Sequence, residues 1–276
     1  MATRNELIVQ DRIEQQQGRV DDALAAAALL IALLDESEPL IRVIIERYLR
    51  LFLSPGVQLS SAAVQAQMAA MRADILAVRT QSFLAVGSRL DELLVGEIDA
   101  EWDFLVKLYL DRAAMQLQRP GVTPQSLVDT PILGRTLDDW LQALLAADAA
   151  RIADAVAVGV LQGRTRTQIL QATLGEENLD GGKGATERTR RDLTNIVDLA
   201  LFSVVGLAAK TFSEINEYWL PRDLYVAVID NRTTQICRHY NGKVFLVGRG
   251  PYPPIHWHCR SIRVSLPVDG DIPDTP

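Results

Sequence analysis

Pro221-Arg222-Asp223-Leu224-Tyr225-Val226-Ala227-Val228-Ile229 divides this chain into two kinds of sequence. Leu224 to Ile229 is β-branched and aromatic, the composition of a strand. Downstream, Asn241-Gly242 is the favoured two-residue hairpin turn, set between Tyr240 and Lys243-Val244-Phe245-Leu246-Val247. Pro251 to Pro254 predicts a rigid loop, and Ser261 to Leu266 alternates like a closing strand. Upstream of Pro221, Ala, Leu, Gln, Arg and Glu dominate, while Gly and Pro fall mostly between periodic segments. That texture is helix after helix.

The first helix is expected over Asp21–Leu34, and a second around Pro39, with Leu40, Ile44, Ile45, Tyr48, Leu49 and Phe52 on its apolar side. Ser54-Pro55-Gly56 should stop it. Long helices follow at 60–94 and 97–117, then one from Thr136 to about Leu161, a short one from Thr167 to Leu174, and a last from Ala185 to Tyr218. Gly175 to Gly184 reads as a mobile glycine-rich loop, with no preceding strand to make Gly181-Gly182-Lys183-Gly184 a phosphate loop. The expected fold is mainly α: an elongated helical body with a small β-rich C-terminal module (α+β). Its expected parts are a helical body over 1–184, a long connecting helix over 185–220, the β-rich module over 221–266, and a free tail over 267–276.

Composition narrows the classes. At 48% hydrophobic and 23% charged, the chain can bury enough apolar surface to order. Its longest unbroken apolar run, Ala23 to Leu34, falls well short of the roughly 20 residues of a bilayer span; no membrane span is expected. Two cysteines in 276 residues exclude a disulfide-dense scaffold. The default is a protein of a reducing compartment. Charge separates along the chain: residues 1–184 carry 17 basic and 25 acidic side chains, whereas 185–266 carry 11 and 7. The latter reads either as ordinary solvated surface or as a weakly basic face toward DNA or an acidic partner.

One constellation carries chemistry. Every Cys and His of the chain lies between Cys237 and Cys259: Cys237, His239, His256, His258 and Cys259. Zinc takes four soft or borderline ligands, and a small β module lacks the core to hold itself without a staple. His256-x-x-Cys259 puts two donors on one turn, Cys237 supplies a third, and His239, His258, Asp230 or water is the fourth. Two alternatives stay open: a hydrogen-bonded cluster without metal, and a Cys237–Cys259 disulfide. A Cys237 thiolate with His256 or His239 as base would make a cysteine hydrolase, but Thr233 to Arg238 matches no protease signature. Other enzyme motifs are missing, and no small-molecule substrate is expected.

Asp230-x-Arg232-Thr233-x-x-x-Cys237, then Asn241-Gly242-Lys243-Val244-Phe245, then Pro253-Pro254-x-His256-x-x-Cys259-Arg260-Ser261 resembles the C-terminal signature of the Mu F-like phage minor head proteins, or head morphogenesis proteins. The likeness covers about 35 residues, Asp230 to Arg263, in order and spacing. Two departures stand out: Trp257-His258 replaces the family's Pro-Asn, and Ile236 stands where a second Cys or a Pro-Val pair often occurs. The N-terminal half carries no matching motif. The resemblance implies a structural, non-enzymatic protein of the phage head, built in few copies at the portal vertex. It implies portal and other head proteins as partners, assembly in the host cytoplasm, and a role in head assembly and in genome packaging or exit. Arg232, Arg238, Arg260 and Arg263 surround the cluster as candidates for partner carboxylates or DNA phosphates, or for internal pairing with Asp230 and Asp223.

Overall fold

The computed structural model describes residues 2–54, 60–175, 184–231, 233–269, 271 and 273. Helices make up 69% of it, with one three-stranded antiparallel sheet. The protein is mainly α with a small β module, as its sequence predicts. The elements are α1 (Arg4–Asp35), α2 (Glu38–Phe52), α3 (Ser61–Ala113), α4 (Pro124–Val128), α5 (Leu137–Leu161), α6 (Arg166–Leu174), α7 (Ala185–Ile215), β1 (Arg222–Val226), α8 (Gln235–Tyr240), β2 (Val244–Leu246) and β3 (Ile262–Leu266). The expected glycine-rich loop lies largely outside the described residues, as do Pro55-Gly56 and Arg232.

Two compact units are each assembled from separated segments. The first takes residues 1–26, 91–137 and 197–276; the second takes 27–90 and 138–196. The boundaries expected after 184, 220 and 266 therefore mark changes of texture, and the units divide elsewhere. In the second unit, Ile41, Ile45 and Leu49 of α2 pack with Met71 and Ile75 of α3, Ile152 and Val156 of α5, and Ile169 of α6. Pro39 begins α2 in its first turn, and Thr165 with Gln168 forms a full capping box on α6. Arg79 and Asp148 form an ion pair inside this unit, both about fully buried.

The first unit contains the β module. Ile8, Arg12, Gln16 and Arg19 of α1 are buried, and Arg12 and Arg19 both pair with the fully buried Glu101 of α3. This polar stripe explains why α1 starts at Arg4, seventeen residues before the expected start at Asp21. The expected break between 94 and 97 is absent: α3 runs through Gly96, an exposed-side glycine that meets nothing. A helical Gly costs about 1 kcal/mol, less than the burial of Leu90, Leu94, Ile98 and Trp102 along one face contributes.

The sheet order is β2-β1-β3. Arg222 pairs with Leu246 on one side and Leu266 on the other. β3 is buried along its whole length instead of alternating. Tyr109 of α3 donates to the Ser265 carbonyl at 2.6 Å, and Ser213 of α7 meets the Ser265 hydroxyl. The module is thus seated on α3 and α7. The described tail is tied as well, correcting the expectation of a free end: Asp269 pairs with Arg4 at 2.8 Å, and the Asp271 carbonyl accepts from Asn5. α7 has the length and apolar content of a membrane-crossing helix, which a search for unbroken apolar runs overlooks; 67% of that window is buried inside the protein.

Candidate metal centre

The expected hairpin at Asn241-Gly242 is instead a helix-to-strand turn. α8 occupies residues 235–240, and the turn delivers the chain into β2. The Asn241 side chain accepts from the Ala227 amide and the Gly242 amide donates to the Tyr225 carbonyl, so the dipeptide pins α8 against β1. One face of α8 carries Cys237 inward. Its neighbours in the module's small core are Tyr225, Ala227 and Cys259, flanked by Tyr240, Phe245 and Ile255.

The facing segment is held by a second network. Asp223 of β1, fully buried, accepts from Arg263 Nη2 (3.1 Å), Tyr252 (2.6 Å) and Ser265 (2.7 Å). Arg263 in turn donates to the carbonyls of Arg249 and Pro251, and its guanidinium lies over the rings of Phe245 and Tyr252. Pro253 and Pro254 are joined by a cis peptide bond. Beyond them the chain turns at residues 256–259, where the Cys259 amide reaches the His256 carbonyl and His258 takes a left-handed φ of 56°. That turn points His256 and Cys259 the same way and sends His258 elsewhere.

Cys237, His256 and Cys259 converge. The two sulfurs are 3.7 Å apart, and Cys237 Sγ lies 3.0 Å from His256 Nε2. All three donor atoms fall within 4.8 Å of one another. His256 Nδ1 is 2.7 Å from the Trp257 carbonyl, which can only accept; Nδ1 therefore carries the proton, and the Nε2 lone pair faces the sulfurs. A backbone acceptor behind a metal-binding imidazole is the usual outer-shell arrangement. Burial pushes the Cys237 thiol up, but hydrogen bonds from Ser261, Thr234 and Tyr225 outweigh it and bring it down to about 7. Burial pushes Cys259 up. Two thiols and an imidazole, one thiol ready to ionise, are a donor set able to hold a metal ion.

No family model, curated protein or solved structure matches this chain.

The other candidates are placed apart from the cluster. His258 Nδ1 lies 3.0 Å from Asp198, and His239 Nε2 lies 2.7 Å from Lys243 Nζ. Asp230 accepts from Arg260 at 2.6 Å and from Thr233, shaping the turn before α8. Arg238 donates to the Thr233 and Asp230 carbonyls, and Arg263 is buried. Arg232 lies outside the described residues. Of the arginines considered for an outside partner, Arg238, Arg260 and Arg263 therefore have internal acceptors. Sequence reading missed Thr234, whose hydroxyl is 2.9 Å from His256 Nε2, along with Tyr225; Asp223 it offered as an internal partner for the arginines, and Arg263 takes it. Only Thr234 had a local signal, standing three residues before Cys237.

Proposed function

We propose that this chain is a structural minor head protein of a tailed phage, acting at the portal vertex in head assembly, with a zinc ion holding its C-terminal module. The observation that carries the reading is the convergence of Cys237, His256 and Cys259, the thiols and imidazole of the head-protein signature, on one point. With zinc–sulfur bonds of about 2.3 Å, two thiolates on a tetrahedral ion stand about 3.8 Å apart; these sulfurs stand at 3.7 Å. A bound ion would neutralise the thiolates and join α8 to the 256–259 turn, a structural role coupled to folding. His239, His258 and Asp230 are held by other partners, which leaves the fourth position to water or to a group from outside the chain.

Two further observations favour a structural protein over its rivals. Cys237 is 2% exposed, poor access for a hydrolase nucleophile. Arg238, Arg260 and Arg263 are spent on internal carbonyls and carboxylates, which weakens the DNA-binding alternative. Mass spectrometry of purified procapsids and virions, together with co-purification on the portal ring, tests the proposal. The chain should appear in few copies per particle and be retained by the portal. Absence from both particle types would overturn it.

A further inference from the structure

The chain has two cysteines, so it can make one internal disulfide and no other. Both thiols are free, and they are 2% and 1% exposed. They come from segments twenty-two residues apart, yet their sulfurs face each other at 3.7 Å. A disulfide needs about 2.05 Å, so an approach of roughly 1.7 Å suffices. His256 Nε2 stands 3.0 Å from Cys237 Sγ, able to take its proton. Thr234, exposed, and His256, half-buried, lie on that flank, which gives a small oxidant a way in.

We infer that Cys237 and Cys259 form a redox clasp: a peroxide joins them as a disulfide, and a reducing thiol reopens it. In the first step the Cys237 sulfur attacks a peroxide oxygen and the O–O bond breaks. The thiol proton passes through His256 to the departing hydroxide, leaving a Cys237 sulfenic acid and water. In the second step Cys259 sulfur attacks Cys237 sulfur and the S–O bond breaks. The hydroxide leaves as water with the Cys259 proton. One peroxide and two thiols thus give one disulfide and two waters. The joined sulfurs no longer serve as metal donors, so the clasp and the metal centre exclude each other. The thiol chemistry stands on the sulfur geometry; release of a metal rests on the zinc reading above.

The test uses the full reduced chain. It is treated with equimolar hydrogen peroxide, blocked with a maleimide, digested and analysed by mass spectrometry, with and without prior zinc loading. The expected result is loss of both free thiols, a 237–259 cross-linked peptide, no covalent dimer on a non-reducing gel, and reversal by dithiothreitol. In Cys259→Ala, Cys237 should instead be trapped as a sulfenic acid by a dimedone reagent. Zinc-loaded chain should release one ion per disulfide to a coloured chelator. Thiols that survive, or that pass to sulfinic acid without joining, overturn the clasp even if zinc binds. A chain that takes up no zinc yet closes the disulfide keeps the clasp and removes the metal reading.

Discussion

Replacing Asp223 with Asn tests how the facing segment is held. Asp223 is fully buried and, among the described residues, is the carboxylate paired with the Arg263 guanidinium, itself 3% exposed. Asn keeps the size and one acceptor oxygen, enough for Ser265 or Tyr252. What it removes is the charge opposite Arg263. Leaving one buried ion without its partner costs about 3–5 kcal/mol. Unfolding entropy is about 2.1 cal/mol/K per residue. If the unit holding the module, roughly 150 residues, melts by itself, Tm should fall by about 10–15 °C. If the whole chain melts together, the fall is about 5–9 °C. Calorimetry of the metal-free protein distinguishes these cases, and a urea titration gives the free energy directly. Asp223→Asn combined with Arg263→Met removes both charges and should recover much of the loss. A single-variant cost under about 1 kcal/mol, or strict additivity in the double variant, would refute the reasoning.

Other perturbations probe the remaining parts. Arg12 and Arg19 overcome burial to hold Glu101 below the ordinary carboxylate range. A carboxyl with a depressed folded-state pKa adds stability above its unfolded value, about 4.3, and loses it as pH falls through the folded one. Wild type should therefore lose stability on acidification below about pH 4.3 more steeply than Glu101→Gln, as read from urea midpoints across pH. A Cβ at Gly206 of α7 would stand 2.4 Å from the Pro253 carbonyl, so Gly206→Ala should cost about 1–3 kcal/mol and weaken metal binding by displacing the segment before His256. In competition titrations with a zinc chelator, His256→Ala should lose more than the roughly 10–100-fold that outer-shell changes cost. His258→Ala, whose ring is engaged with Asp198, should bind as wild type does.

The helical texture and the β module were legible because they rest on local composition. α2 shows why: Pro39 in the first turn and an apolar stripe from Ile41 to Leu49 are both in the string. The start of α1 was hidden because Arg12, Gln16 and Arg19 look like solvated surface until Glu101, more than eighty residues away, is opposite them. Gly96 looked like a break because its helical cost is local while the compensating burial of Leu94 and Ile98 is not. Asn241-Gly242 marks the turn, but the residues on both sides of it read as strands, whereas α8 precedes it. At the site, clustering of thiols and imidazoles was visible in the spacing. The spacing to Cys259 singled out His256, but whether His239 or His258 joins it was not visible, since His258 is drawn away by Asp198, sixty residues earlier. His239 could have been set aside once α8 was known, because two residues along a helix turn a side chain about 200° from Cys237.

X-ray absorption at the zinc edge, on the full chain loaded with one equivalent of the metal, addresses the clamp itself. The account predicts two sulfur scatterers at about 2.3 Å and one imidazole nitrogen at about 2.0–2.1 Å, with the sulfur shell reduced to one in Cys259→Ala. A first shell of oxygen alone, or a sulfur count unchanged in that variant, would contradict it.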